Sequence, residues 1–146
     1  MTDLIETHIE NRVMVQPNHA NNLQTAHGGH VLKWMDEVGA MSAMRFAGSS
    51  CVTARINQVD FERPIQVGDT SLIKSYVYRA GRTSVRVRLQ VYRENLRNGK
   101  QQKATESYFV YVAIDDDREP TTVPELDVSS DRGERLREEA LAGEGQ

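Results

Sequence analysis

The stretch His27-Gly28-Gly29-His30-Val31-Leu32-Lys33-Trp34-Met35-Asp36-Glu37-Val38, running on to Ala47, decides the fold. From Gly28 its apolar residues recur with a helical period. Val31, Leu32, Met35, Val38, Ser42 and Phe46 fall on one face, with Trp34 at its edge. Gly48-Ser49-Ser50 ends the pattern. A helix of about 18 residues is roughly 27 Å long, enough to lie across a sheet. Two glycines open it and leave its first N–H groups free of bulky side chains. Such a start can meet a polarised carbonyl oxygen.

On either side the chain reads as strand. Residues 12–16 fit a first strand stopped by Pro17, and residues 17–27 form a loop of turn formers. Beyond the helix, residues 51–61 are extended, Gly68-Asp69 turns, and residues 70–79 make the next strand. In residues 83–93 the alternation is clean: Val85, Val87, Leu89 and Val91 face one way, Ser84, Arg86, Arg88 and Gln90 the other. Asn98-Gly99 predicts a hairpin turn, and residues 102–114 the last strand. The order strand, helix, four strands predicts an α+β layout, one helix across one antiparallel sheet. A single helix leaves an open sheet edge and uncovered apolar surface, which predicts pairing with a second copy.

Composition narrows the class. The 146 residues fit one domain with a modest core. They contain no apolar run of membrane-spanning length, and the first residues do not read as a signal peptide. The lone Cys51 cannot form an internal disulfide, which points to a cytoplasmic setting, and reads as a small strand residue. Residues 115–146 carry 11 acids and 4 bases, whereas residues 1–114 carry 10 acids and 14 bases. The chain thus divides into a mildly basic body (1–114) and an acidic tail (115–146). The tail reads as mobile, with residues 134–142 able to form a short helix. The body suits a small polyanionic ligand but lacks the charge and interleaved aromatics of a nucleic-acid binder.

On a helical wheel the nearest neighbours of Asp36 are Leu32, Gly39, Ala40 and Ala43, while Lys33, Glu37 and Arg45 lie further round the polar side. Small residues there leave room for a backbone or a ligand, making Asp36 a candidate base or nucleophile and Glu37 a surface acid. Periodicity by itself favours a plainer reading of Asp36, an ordinary flank carboxylate at an interface. Gly28 and Gly29 lie about 10 Å from Asp36 along the axis, too far for both to touch one carbonyl. If both act on one substrate, they come from different subunits, brought together by antiparallel helices across a two-fold axis. His19 and His27 share a loop without a third ligand at metal spacing, so no metal is expected. No Gly-x-Ser-x-Gly turn or Walker loop is present. Asn21 can orient water or carbonyl, or simply cap a turn. Of Arg79, Arg82, Arg86 and Arg88, only the turn, Arg82 to Ser84, reads as a phosphate contact; the rest read as a solvated face.

With these pieces in hand, the chain resembles the hot-dog-fold acyl-CoA thioesterases, in their acyl-CoA hydrolase or YciA-like branch. The resemblance rests on residues 17–21, His27-Gly28-Gly29, Leu32-Lys33-Trp34-Met35-Asp36-Glu37, residues 59–69, Gly81-Arg82-Thr83-Ser84 and Lys103-Ala104-Thr105-Glu106. It implies a hot-dog dimer with interfacial sites, often assembled into a hexamer (a trimer of dimers). It implies hydrolysis of acyl-CoA to CoA and a carboxylic acid, with no cofactor beyond the CoA of the substrate. In its terms Asp36 is base or nucleophile, Asn21 holds water or thioester, and Gly28 and Gly29 polarise the carbonyl. His27, Arg63, Arg82, Thr83 and Ser84 form the substrate-binding set. One departure is Gln24, where the family often has Gly. Two other readings are a hot-dog hydratase or dehydratase, whose His–acid motifs are not found here, and an acyl-CoA-binding sensor. A DNA-binding regulator would need more than residues 1–10.

Overall fold

The computed structural model describes residues 1–144. A short strand β1 (Thr2–Asp3) and a 3-10 turn (Leu4–Thr7) precede β2 (Ile9–Met14). The long helix α1 (Gly28–Ala47) follows, then β3 (Ser50–Ile56), β4 (Thr70–Ala80), β5 (Ser84–Glu94) and β6 (Gln101–Ile114). A two-residue strand β7 (Leu126–Asp127) and helix α2 (Asp131–Glu144) complete the chain.

The five main strands form one antiparallel sheet in the order β2-β4-β5-β6-β3. The strands flanking α1 in sequence therefore lie at opposite edges. The helix must cross the whole sheet, and its 20 residues give about 30 Å for the crossing. Val31, Trp34, Met35, Val38 and Phe46 bury against Val85, Val87, Leu89 and Val91, all four fully buried on the inner face of β5. Trp34 lies inside this core rather than at its edge. Ser42, on the apolar face, serves a buried polar link: its hydroxyl donates to the Thr7 carbonyl at 2.7 Å and meets Ser75 Oγ at 2.5 Å. Gly48 adopts φ +70°, and its N–H closes the helix on the Met44 carbonyl at 2.9 Å. The α+β layout of one long helix on an antiparallel sheet is the one expected from the helical period, and the first strand falls three residues earlier than expected.

The tail departs from its mobile reading. Ser130 caps α2 by accepting from the Gly133 N–H at 3.0 Å, and so the helix starts earlier than residue 134. Its buried Ala140 packs with Leu4, Tyr76, Tyr78 and Tyr108 on the outer face of the sheet. Arg88, expected on a solvated face, lies beneath this helix and pairs with Glu106 at 2.9 Å. Glu144 pairs with Arg79 at 2.9 Å and Arg86 at 3.4 Å, and Tyr78 donates to it as well. The inner face is thus covered by α1 and the outer face by α2. Two sheet edges stay open, β2, paired only with β4, and β3, paired only with β6; on β3 Val52 and Ile56 are 46% and 41% exposed.

Candidate active site

Asp36 lies in the third turn of α1, half-buried, above the β3 side of the sheet. Thr53 and Tyr111 are register partners on β3 and β6, and the β3 register shifts immediately after Thr53. A bulge of this kind re-aims side chains at a sheet edge. Both hydroxyls turn to the helix. Thr53 Oγ1 donates to Asp36 Oδ1 at 2.6 Å, and Tyr111 OH lies 3.1 Å from the same oxygen and 2.9 Å from the Asp36 carbonyl. Among the described residues, Oδ2 accepts no hydrogen bond. Burial first, and the adjacent Asp36 carboxylate second, push the Tyr111 phenol far above its ordinary pKa, so it remains a donor. Gly39 makes this approach possible, since a Cβ there would collide with the Tyr111 hydroxyl. The small residues around Asp36 therefore make room for a phenol of the same chain. Glu37 is exposed and forms no ion pair among the described residues. Cys51 is held protonated by burial, which pushes its thiol up to about 11.

The helix start is uncapped. His27 occupies the N-cap position with no side-chain hydrogen bond, and the first helical bond runs from the Val31 N–H to the His27 carbonyl at 3.1 Å. The N–H groups of Gly28, Gly29 and His30 have no acceptor among the described residues. Gly29 is exposed, has no left-handed backbone angle, and a Cβ there would meet nothing within 4 Å. Nothing among the described residues calls for glycine at that position. A cavity of about 330 Å³ opens beside Gly28, lined by Val31, Phe61, Pro64 and Ile65, with Arg63 at its margin. Arg63 Nη1 donates to the Lys103 carbonyl at 2.7 Å.

Asn21 closes the loop before the helix. Its Oδ1 accepts from the N–H groups of Leu23 at 2.9 Å and Thr25 at 3.2 Å, and from Thr25 Oγ1 at 3.1 Å. That leaves the amide nitrogen of Asn21 as its free donor. Gln24 sits at φ +62°, a conformation glycine adopts without strain, so the loop accepts a non-glycine residue there at a cost. Arg82, Thr83 and Ser84 form the β4–β5 turn, where the Gly81 N–H donates to the Ser84 carbonyl at 2.9 Å. This turn is not brought to Gly28 or Arg63. The register runs from Val91, near the helix start, to Val85 at the turn, about 20 Å along the strand. Within one chain the expected site residues thus fall into three groups: the helix start with His27 and Arg63, Asp36 at mid-helix, and the Arg82 turn at the far end. Sequence reasoning missed Tyr111 and Thr53 as site residues. Tyr111 is 75 residues from Asp36, and only a paired strand register could have linked the two. Among the described residues no group of three or more His, Cys, Asp or Glu could hold a metal ion. Among the described residues no helix is long and apolar enough to cross a membrane.

Residues 23–100 match the Thioesterase superfamily. The acyl-CoA thioester hydrolase YciA of Salmonella typhimurium is 32% identical over 116 residues, covering 77% of this chain and 87% of that protein. An uncharacterized acyl-CoA thioester hydrolase of Bacillus subtilis, YkhA, is 34% identical over 112 residues; the match takes in 77% of this chain and 65% of that protein. The match to acyl-coenzyme A thioesterase 11 of Mus musculus covers only 18% of that protein. The chain belongs to the Thioesterase superfamily. An apo-hexameric acyl-CoA thioesterase superimposes with a TM-score of 0.88 at 35% identity, covering 97% of this chain and 90% of that one. The Staphylococcus aureus acyl-CoA hydrolase, solved with butyryl-CoA, CoA and CoA disulfide, superimposes with a TM-score of 0.88 at 31% identity, covering 97% and 86%. That hydrolase was also solved with a Thr, an Asn or an Asp replaced by Ala. Those three residues are spaced along its chain as Thr53, Asn21 and Asp36 are here.

Proposed function

We propose that the protein is an acyl-CoA thioesterase that hydrolyses acyl-CoA to CoA and a carboxylic acid at sites shared by two subunits. The observation that carries this reading is Asp36: one carboxylate oxygen held by Thr53 and Tyr111, the other left open beside an unpaired sheet edge. The free Oδ2 takes the proton from an attacking water, or attacks the thioester carbonyl itself. The uncapped N–H groups at Gly28 and Gly29 receive the oxyanion as it forms. Where water attacks, collapse breaks the C–S bond and the CoA thiolate takes up the proton held by Asp36. Where Oδ2 attacks, collapse leaves an acyl anhydride on Asp36, which water hydrolyses to the carboxylic acid, its proton going to the thiolate. The Asn21 amide nitrogen orients the water. This chemistry draws on backbone donors and one carboxylate, and on no cofactor.

For Gly29 and Asp36 to act on one carbonyl, the helix rise calls for two chains. Pairing of β3 edges across a two-fold axis would set the α1 helices antiparallel, bringing Gly29 of one chain to Asp36 of the other. The same axis would carry the Arg82–Ser84 turn toward the partner's cavity at Gly28, so that a long ligand such as acyl-CoA meets both. We assign the CoA phosphates to Arg63 and Arg82–Ser84, with His27 beside them, and the acyl end to the apolar cavity. A trimer of such dimers fits the hexameric relatives, and a cytoplasmic setting suits the lone protonated Cys51. Residues 1–114 carry the chemistry, and the tail covers the outer face.

The test is thiol release across acyl-CoAs from acetyl to palmitoyl, joined to subunit mixing. Asp36→Ala and Gly29→Val are each expected to be inactive. When their subunits are mixed equally and exchanged, half the dimers hold one chain of each kind and one intact site. Turnover should return to about a quarter of wild type. Absence of thiol release by the wild type sinks the thioesterase reading; water addition to an enoyl-CoA would favour the hydratase. Mixing that restores nothing, with exchange shown by mass spectrometry, sinks the shared site.

A further inference from the structure

We propose that Tyr111 is a positioning residue for the reaction. Its buried hydroxyl, admitted by the missing side chain of Gly39, clamps Asp36 Oδ1 and the helix backbone so that Oδ2 alone is presented to substrate. This rests on the thioesterase reading of Asp36.

The geometry is specific. Tyr111 is fully buried on the last strand, yet its hydroxyl sits within reach of both the Asp36 carbonyl and carboxylate, at 2.9 Å and 3.1 Å. A single O–H spanning both atoms fixes the side chain relative to its own helix. Thr53, the cross-strand partner, approaches the same Oδ1 from the edge strand. Two donors on one oxygen settle which way the carboxylate turns. A carboxylate free to rotate would present its two oxygens alternately; the clamped one holds a single oxygen at the position where the reacting atom arrives, the condition for efficient catalysis at a short-lived encounter. The device has two halves. At Gly39 a Cβ would strike the Tyr111 hydroxyl, and would lie 3.2 Å from both Tyr111 Cζ and Leu89 Cδ1. A glycine in the middle of a long helix costs stability relative to alanine. Here the close approach of the phenol accounts for it.

A charge-assisted hydrogen bond lost only from positioning predicts a split between rate and binding. Tyr111→Phe, which keeps the ring and its packing, should lower kcat about tenfold, leave KM within about twofold, and lower Tm by no more than about 4 °C. Gly39→Ala should lower kcat to a similar degree by driving the hydroxyl away. The double variant should lose no more than either single one, because the alanine then meets no hydroxyl. Full kcat in Tyr111→Phe, a change confined to KM, or simple addition of the two losses overturns the proposal. A readout separate from hydrolysis keeps it apart from the thioesterase reading. The ¹³C resonance of the labelled Asp36 carboxyl should move in Tyr111→Phe even if the wild type released no thiol. An unmoved resonance overturns the clamp, whereas an inactive wild type with a moved resonance overturns only the thioesterase assignment.

Discussion

Replacing Asp36 by Asn removes one property of the site and spares its shape. Thr53 Oγ1 donates to Oδ1 at 2.6 Å, and the one Tyr111 hydroxyl hydrogen spans Oδ1 at 3.1 Å and the Asp36 carbonyl at 2.9 Å. The amide must therefore place its oxygen there, and its NH₂ group takes the position of Oδ2. An amide nitrogen neither accepts the proton of water nor attacks a carbonyl, so the reacting position is chemically silent. Loss of a base of this kind costs about 10²–10⁴ in rate, or about 3–5 kcal/mol in the barrier. The fold loses less. Two charge-assisted bonds become neutral ones, a difference of about 1–2 kcal/mol in total, and a neutral amide is cheaper to half-bury. A Tm lower by a few degrees is expected. The assay is thiol release at saturating acyl-CoA, with single-turnover mixing to isolate chemistry and calorimetry to follow the fold. Glu37→Gln is the control: its carboxylate is exposed and accepts nothing among the described residues, and the variant should match wild type. Turnover of Asp36→Asn within tenfold of wild type would refute the assignment of Oδ2 as the reacting oxygen.

Other consequences follow from the packing. The half-buried His8 ring stacks on Tyr76 with centroids 6.1 Å apart, and burial first, then nearby Arg132, hold its pKa below the ordinary 6.5. A folded-state value below the unfolded one gives stability that is complete above about pH 6.5 and declines as pH falls below it. Urea midpoints at pH 7 and pH 5.5 should differ more in wild type than in His8→Gln; equal differences would exclude His8 as the source. Ala140→Asp places an unpaired carboxylate among Leu4, Tyr76, Tyr78 and Tyr108 and should cost at least about 2 kcal/mol. An unchanged urea midpoint would mean that α2 is not docked in solution. Gln24→Gly relieves a left-handed residue at φ +62°, worth about 1–2 kcal/mol, against about 0.5–1 kcal/mol of added chain entropy in the unfolded state. A small rise in Tm is expected by calorimetry, and a fall would contradict the strain.

Much of the layout was legible because it is periodic. The apolar face of α1 and the alternation in β5 depend on neighbours three, four or two residues away, which any reading of the chain can see. The helical wheel marked Asp36 over Glu37, the resemblance to the hot-dog hydrolases raised it above a plain flank carboxylate, and the structure gives the reason they differ: one is tied to two hydroxyls, the other faces solvent. Long-range pairing was not legible. Nothing local marks Thr53 and Tyr111 as partners; their meeting is a consequence of sheet order β2-β4-β5-β6-β3 and a register shift. The tail misled for a related reason. Its mean composition is polar, and the few residues that dock it, Leu136 and Ala140, find their partners in Tyr76, Tyr78 and Leu4 far away in sequence. The exposed-arginine reading of Arg88 failed with it, since the cover over that face is the tail itself.

Two glycines on α1 look alike in sequence and answer to different neighbours. Gly39 is required within the chain, because Tyr111 occupies the space a Cβ would fill. Gly29 is required by nothing among the described residues: none of their atoms lies within 4 Å of a Cβ built there, and its backbone is ordinary helix. A glycine costs a helix stability unless some contact needs it, and the proposed shared site would supply that contact at Gly29 from outside the chain. The same is true of the helix cap. An Asp or Ser at position 27 would satisfy the open N–H groups and stabilise the helix by about 1 kcal/mol, but His27 leaves them unpaired. Missing side chain and missing cap coincide at one helix end, beside an apolar cavity and about 10 Å from the only clamped carboxylate on that helix. That distance exceeds the reach of one carbonyl and matches the offset that an antiparallel partner helix removes. The features that weaken the helix start in one chain are thus the ones a second chain and a thioester carbonyl would together make use of.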